Sequence, residues 1–96
     1  MFLNDNMKID SILVTQRKLK RKNLLHNLID AICNFETINP IQLVQLENGT
    51  VYCNDGHHRL AAYKMLGREE LEPHEYDLLL LDEVKPTFGN IQKLLA

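Results

Sequence analysis

Val51-Tyr52-Cys53-Asn54-Asp55-Gly56-His57-His58-Arg59-Leu60-Ala61-Ala62 changes character twice in one short stretch. Val51-Tyr52-Cys53 has the β-branched and aromatic content of a strand, and Asn54-Asp55-Gly56 breaks it. From Arg59 to Leu66 the spacing turns helical, with Leu60, Ala61, Tyr63 and Leu66 on an apolar face, and Gly67 stands where a left-handed residue closes a helix. A strand, a glycine turn and a helix therefore meet at Asp55–Arg59.

That junction has the outline of an anion site. Gly56 permits a sharp turn and a close approach to main-chain N–H groups. The helix behind it offers unsatisfied donors and the positive end of its dipole. Arg59 adds a planar fork suited to phosphate, although the start of a helix is the unfavourable end for a cation. His57 and His58 add donors that titrate near neutral pH. A structural reading stands beside this one: Asp55 caps the helix by accepting from the N–H of His57 or His58, and one histidine packs inward onto a carbonyl.

Working outward, Ile41-Gln42-Leu43-Val44-Gln45-Leu46 alternates in part as a half-buried strand, and Asn48-Gly49 before Val51 predicts an antiparallel hairpin. Leu24, Leu25, Leu28, Ile29 and Ile32 recur at helical steps after Asn23, which is a credible N-cap, and that helix should end near Asn34 or Phe35. Asn39-Pro40 marks a boundary. Ile9–Val14 reads as a strand after an unpatterned lead-in over residues 1–8. Glu69–Glu75 reads as an acidic, irregular, solvated connection in which His74 is isolated, as is His26 further up the chain. Tyr76–Leu81 reads as a central strand covered on both faces, because its leucine run is too apolar for water. Thr87–Ala96 has room for one short helix docked through Ile91, Leu94 and Leu95.

A chain of 96 residues with 45% hydrophobic content supports one α+β domain over residues 1–96, its core spanning 9–82 and 83–96 forming an extension. The formal net charge of −2 gives no general attraction to nucleic acid or anionic lipid. No apolar run approaches membrane-spanning length and no secretory pattern opens the chain, so a cytoplasmic location is the expectation. Cys33 and Cys53 fit neither a metal knuckle nor a disulfide framework and read as buried, reduced thiols. Tyr52 and Tyr63 read as packing residues.

The block Asp55-Gly56-His57-His58-Arg59-Leu60-Ala61-Ala62, with Asn39-Pro40-Ile41, Asn48-Gly49-Thr50-Val51-Tyr52 and Leu66-Gly67 around it, resembles the ParB/sulfiredoxin superfamily, specifically its ParB-like nuclease domain, over residues 9–82. The resemblance implies a mixed sheet with packed helices and a loop that cradles nucleotide phosphates. A nucleotide di- or triphosphate is the implied ligand, arriving with Mg²⁺. Relatives use the fold variously: partition proteins hydrolyse CTP, sulfiredoxins use ATP, some members phosphorylate serine and others are described as nucleases. The reaction is thus not fixed by the resemblance.

Two departures narrow it. The reactive cysteine of sulfiredoxins precedes the His-Arg pair, and here His57 occupies that place. Serine-kinase members carry a carboxylate ahead of the first helix, where Ser11–His26 contains neither Asp nor Glu. If the implied phosphoryl transfer or hydrolysis takes place, Asp55 and His57 are the candidate proton-transfer groups, with Gly56, His57, His58 and Arg59 holding the ligand and no protein-bound metal site.

The remaining charge pattern is Arg17-Lys18-Leu19-Lys20-Arg21-Lys22. Its five cations suit nucleic-acid phosphates, which makes a DNA- or protein-binding accessory module, or a nuclease, the alternative reading. A solvated turn ahead of a helix explains the same run equally well. No aromatic residue interleaves with it to stack on bases.

Overall fold

The sheet is organised around the Asn48-Gly49 turn. In the computed structural model, which describes residues 6–95, β3 (Ile41–Gln45) and β4 (Val51–Asp55) pair antiparallel across that turn, with Gly49 at φ 91°. Positive φ at this position is what a tight hairpin demands and what glycine supplies without strain. The Asn48 side chain accepts from the Thr50 N–H at 2.9 Å, bracing the turn. A register shift between Gln42 and Leu43 carries Asp55 at the end of β4 opposite Gln42.

Two further strands complete a mixed four-stranded sheet in the order β2-β4-β3-β6. β2 (Ile12–Leu13) runs parallel to β4, and β6 (Tyr76–Leu80) runs parallel to β3. A separate small ribbon pairs β1 (Met7–Lys8) with β5 (Glu70–Leu71). Among the described residues, α1 (Lys22–Cys33) and α2 (His57–Met65) join these strands, and α3 (Ile91–Leu95) follows the last of them. The α+β class follows directly.

The core lies between one face of the sheet and α2. Ile41, Leu43, Val51 and Cys53, alternate residues of the hairpin, meet Leu60 and Ala61 of α2, with Ile9, Ile12, Val14 and Ile91 closing the margin. Small side chains at Ala61 and Ala62, both fully buried, let the helix sit close to the sheet. Val44 and Tyr52 point the other way and are also buried. The chain after β6 returns across that second face, where the Tyr52 hydroxyl donates to Glu83 O at 2.9 Å and Lys85 Nζ donates to Asn54 Oδ1 at 2.7 Å.

Several expectations need correction. Ile9–Val14 is not one strand: Ile9–Ser11 forms a 3-10 turn, tied by Ser11 Oγ donating to Lys8 O at 2.7 Å, and only Ile12–Leu13 joins the sheet. The apolar residues still bury, because a turn can aim Ile9, Ile12 and Val14 at one core. Met7–Lys8 is part of a ribbon rather than a lead-in, and residues 1–5 lie outside the described residues. Asn23 does not cap α1; the cap position is Arg21, with no side-chain bond. α2 begins at His57, two residues before the expected Arg59, with Gly56 as its cap and no side-chain bond from Asp55.

Tyr76–Leu81 is the largest correction. β6 is an edge strand bonded on one side to β3, and Leu79 and Leu80 are 51% and 74% exposed. Apolar content measures what a strand would bury, and nothing in the described chain arrives to bury it. Cys33 is exposed, whereas Cys53 is buried as expected. The connection 69–75 is built rather than irregular. Glu75 is buried, forms an ion pair with Arg68 through both oxygens, and accepts the Glu72 N–H at 2.7 Å in a capping box. α3 forms as expected, with Ile91 fully buried and Leu94 against the core, but Leu95 is exposed rather than docked.

Candidate functional site

Asp55, Gly56, His57, His58 and Arg59 line one cavity of about 350 Å³, whose other walls are Gln16, Leu24, Leu28, Thr37, Ile38 and Asn39. β4 delivers Asp55 to its mouth and α2 starts at its floor. Gly56 adopts φ 101° and ψ 28°, a left-handed turn that swings the chain from strand to helix. The succession of a left-handed residue and helical residues turns neighbouring N–H groups to one side, and no side chain caps them. Donors that a helix usually shares with a cap are thereby left for a ligand.

Arg59 is held in place by the loop before β3. Its Nη1 donates to Asn39 O at 3.0 Å and Pro40 O at 2.9 Å, and its Nη2 lies 3.4 Å from Asp55 Oδ2. These contacts use part of the fork. The Nε edge lies over Gly56, so close that a Cβ there would come within 3.2 Å of Nε and 3.3 Å of Nη2. Glycine is needed at 56 both for its φ and for that approach.

The two histidines differ in burial and share a bonding pattern. His57 is 2% exposed, and its Nε2 accepts the Thr15 N–H at 3.0 Å. The Thr15 hydroxyl donates to Cys53 O at 2.8 Å. With Nε2 accepting, the neutral ring carries its proton on Nδ1. That Nδ1 is buried and finds no partner among the described residues, and the buried Oε1 of Gln16 is in the same condition. A buried donor or acceptor without a partner is unfavourable by about 1–3 kcal/mol, and both of these atoms belong to residues that line the cavity. His58 is half-buried, and its Nε2 accepts the Arg21 N–H at 3.1 Å, pinning the start of α1 to the start of α2.

Burial pushes the His57 ring down to about 4, against the pull of Asp55 and with a further downward push from His58. His58 is lowered as well, first by burial and then by Arg21. Both rings are therefore neutral near pH 7 and bring no positive charge to the cavity. Cys53, beneath the junction, is pushed up to about 12 by burial and by Asp55, with Arg59 and the Asp55 carbonyl opposing. Its thiol is inert at neutral pH.

No family model and no curated protein matches this chain.

The basic run is not drawn into the cavity. Arg17 stacks over the Phe88 ring, 4.7 Å from its centroid. Lys20, Arg21 and Lys22 line a separate open groove of about 530 Å³ with Leu19, Asn23, Leu24 and Asn27, and Leu24 alone borders both. Lys18 lines neither. Sequence reasoning missed Thr15, Gln16 and Asn39, which are distant in the chain from Asp55–Arg59. Asn39-Pro40 was legible as a boundary, but its carbonyls carry the role, and carbonyls leave no mark in a sequence.

Among the described residues, Glu72, His74 and Glu75 bring ligand atoms within 4.8 Å of one another, so His74 is not isolated. Glu75 is already committed to Arg68 and to the Glu72 N–H, so this cluster is a clamp on the turn between β5 and β6.

Proposed function

We propose that the protein binds a phosphate-bearing ligand, a nucleotide, in the cavity at Asp55–Arg59. The uncapped start of α2 behind left-handed Gly56 receives the phosphate, with the Nε edge of Arg59 above it. Leu24, Leu28 and Ile38 offer an apolar wall for the rest of the ligand, and the volume of about 350 Å³ is within the range of small-molecule sites. The observation that carries the reading is the uncapped start of α2 behind left-handed Gly56, which opens on the same cavity as Arg59.

This reading agrees with the ParB/sulfiredoxin resemblance, and membership of that superfamily is proposed with it, as is a cytoplasmic location. Mg²⁺ would arrive with a di- or triphosphate, since the lining offers Arg59 as its one fixed cation. For phosphoryl transfer or hydrolysis, the proton-transfer role falls to Asp55. Its carboxylate is 71% exposed at the mouth, whereas the acceptor nitrogen of His57 is occupied by Thr15.

The test is titration of isotope-labelled protein with ATP, ADP, CTP and GTP, with and without Mg²⁺, followed by amide resonances. The expected result is movement concentrated at residues 56–60 and a rise in thermal midpoint. A ligand at about a hundred times its Kd adds about 2.7 kcal/mol. Amides at 56–60 that ignore every nucleotide would end this reading.

A second reading is favoured by one observation: Lys18, Lys20, Arg21 and Lys22 are exposed and have no acidic partner among the described residues. Such a surface suits the backbone of DNA, for binding or for a nuclease. Binding to duplex DNA should then weaken steeply with salt, and neutralising those residues should flatten the slope. A slope that is unchanged in the variant removes the reading.

A further inference from the structure

The two edges of the four-stranded sheet are finished differently. At β2 the C-terminal chain closes the edge: Leu13 bridges Asn90, the Val14 N–H donates to Gly89 O at 2.8 Å, and the Phe88 N–H donates to Val14 O at 2.9 Å. At β6 no described strand follows. The Leu81 N–H donates to Gln45 O at 3.1 Å, which fixes the phase of the strand. Main-chain groups alternate sides along a strand, so residues 77, 79 and 81 face β3, and Leu78 and Leu80 turn their N–H and C=O to the open side.

An open edge is normally blunted by lysine, proline or a bulge. Residues 76–84 contain no lysine, arginine or proline, and β6 runs in unbroken register with β3. Instead the edge exposes Leu79, Leu80, Leu81 and Val84, the last at 77%. Where β6 ends, Leu80, Leu81 and Asp82 line a groove of about 500 Å³ with Gln45, Leu46, Glu47 and Gly49.

Charge says what occupies this edge. Its ionised residues are Asp77, Asp82 and Glu83, acids at both ends of a leucine run. The next cation along the chain, Lys85, is bonded to Asn54 Oδ1 at the end of β4. A second copy pairing edge to edge would gather the same carboxylates from both chains along one seam with no cation between them, which is unfavourable. A strand that brings cations at its ends meets the opposite situation.

We propose that the open edge of β6 docks an extended segment of a partner protein, apolar at alternate positions and flanked by lysine or arginine, which adds to the sheet as a further strand. Main-chain bonds to Leu78 and Leu80 supply the pairing, Leu79 and Leu80 pack against the partner's side chains, and Asp77 and Asp82 select its charged ends.

The probes are two short synthetic peptides with the same alternating valine-threonine core, one carrying lysine pairs at its ends and the other glutamate pairs. The basic peptide is expected to slow hydrogen exchange at the Leu78 and Leu80 amides and to bind at least about tenfold more tightly than the acidic one, a difference of about 1.4 kcal/mol. The double variant Asp77→Lys, Asp82→Lys should reverse that preference. Leu80→Pro, which removes a donor on the open side and leaves the bonds to β3 intact, should abolish binding. Sedimentation of the full chain alone should show no self-association. The proposal is overturned if neither peptide protects these amides, if both bind equally, or if the chain alone dimerises with the Leu78 and Leu80 amides protected.

Discussion

The two sides of the cavity are built to different standards. Its floor, from β4 through Gly56 into α2, is continuous with the core: Cys53, His57, Leu60 and Ala61 are all buried. Its rim, from Thr15 to Leu28, includes α1, a helix with no fully buried residue and no cap, joined to the floor by the bonds of Thr15 and Arg21 to the two histidines. A rigid floor fixes donor geometry, and a lightly packed rim leaves room for a ligand to enter. Local stability follows packing, so the rim should open at lower free energy than the floor.

The largest effect on this contrast should come from Arg59→Met. It leaves the Asn39 and Pro40 carbonyls without their charged donor, and the expected loss of stability is about 3 kcal/mol, measured by urea unfolding. Neutralising Lys18, Lys20 and Lys22 together should change stability by less than about 0.5 kcal/mol. A comparable loss from both variants would abolish the distinction between floor and rim.

Gly56→Ala is next, at about 2 kcal/mol, because positive φ is strained for alanine and the new Cβ meets Arg59. Gly49→Ala is the control. It has similar φ but open space around it, and it should lose only the backbone part, about 1 kcal/mol. Equal losses would show that the approach of Arg59 to Gly56 carries no energy.

The His57 ring supplies a pH signature. Its folded pKa of about 4 lies below its ordinary value of 6.5, so between those values the unfolded chain binds more protons. The stability associated with the neutral ring is therefore complete above about pH 6.5 and declines as pH falls toward 4, and His58 adds a contribution of the same sign. Urea midpoints of His57→Asn should show a shallower fall across this window than those of the parent chain. Identical slopes would place the acid sensitivity elsewhere.

The smallest expected change lies on the rim. Arg21→Ser places a capping hydroxyl at the uncapped start of α1 and should raise its stability by about 0.5–1 kcal/mol, seen as slower hydrogen exchange in residues 24–28. The floor amides at 60–63 should not respond. A response there would mean that α1 and α2 open as one unit.

The hairpin, the helix after Gly56 and its glycine cap at Gly67 were legible because each is set by neighbours in the chain. Gly67 closes α2 at φ 85°, with the Arg68 N–H returning to Tyr63 O at 3.1 Å. Ile9–Val14 was misread because a turn and a short strand bury the same apolar residues that one strand would. Tyr76–Leu81 was misread because hydrophobicity does not say whether a neighbouring strand exists. The same limit held at the site, where Asp55–Arg59 was recognised as a unit but its partners Thr15, Gln16 and Asn39 were not.

The sequence by itself determined the elements whose causes are local: the Asn48-Gly49 turn, the left-handed glycine before a helix, and the α+β alternation of periods two and three to four. Only the tertiary structure decided which strand lies at an edge, which histidine is buried, and that the Arg59 fork is half committed to the carbonyls of Asn39 and Pro40. Those outcomes depend on groups far apart in the chain meeting in space, and on main-chain atoms that every residue shares.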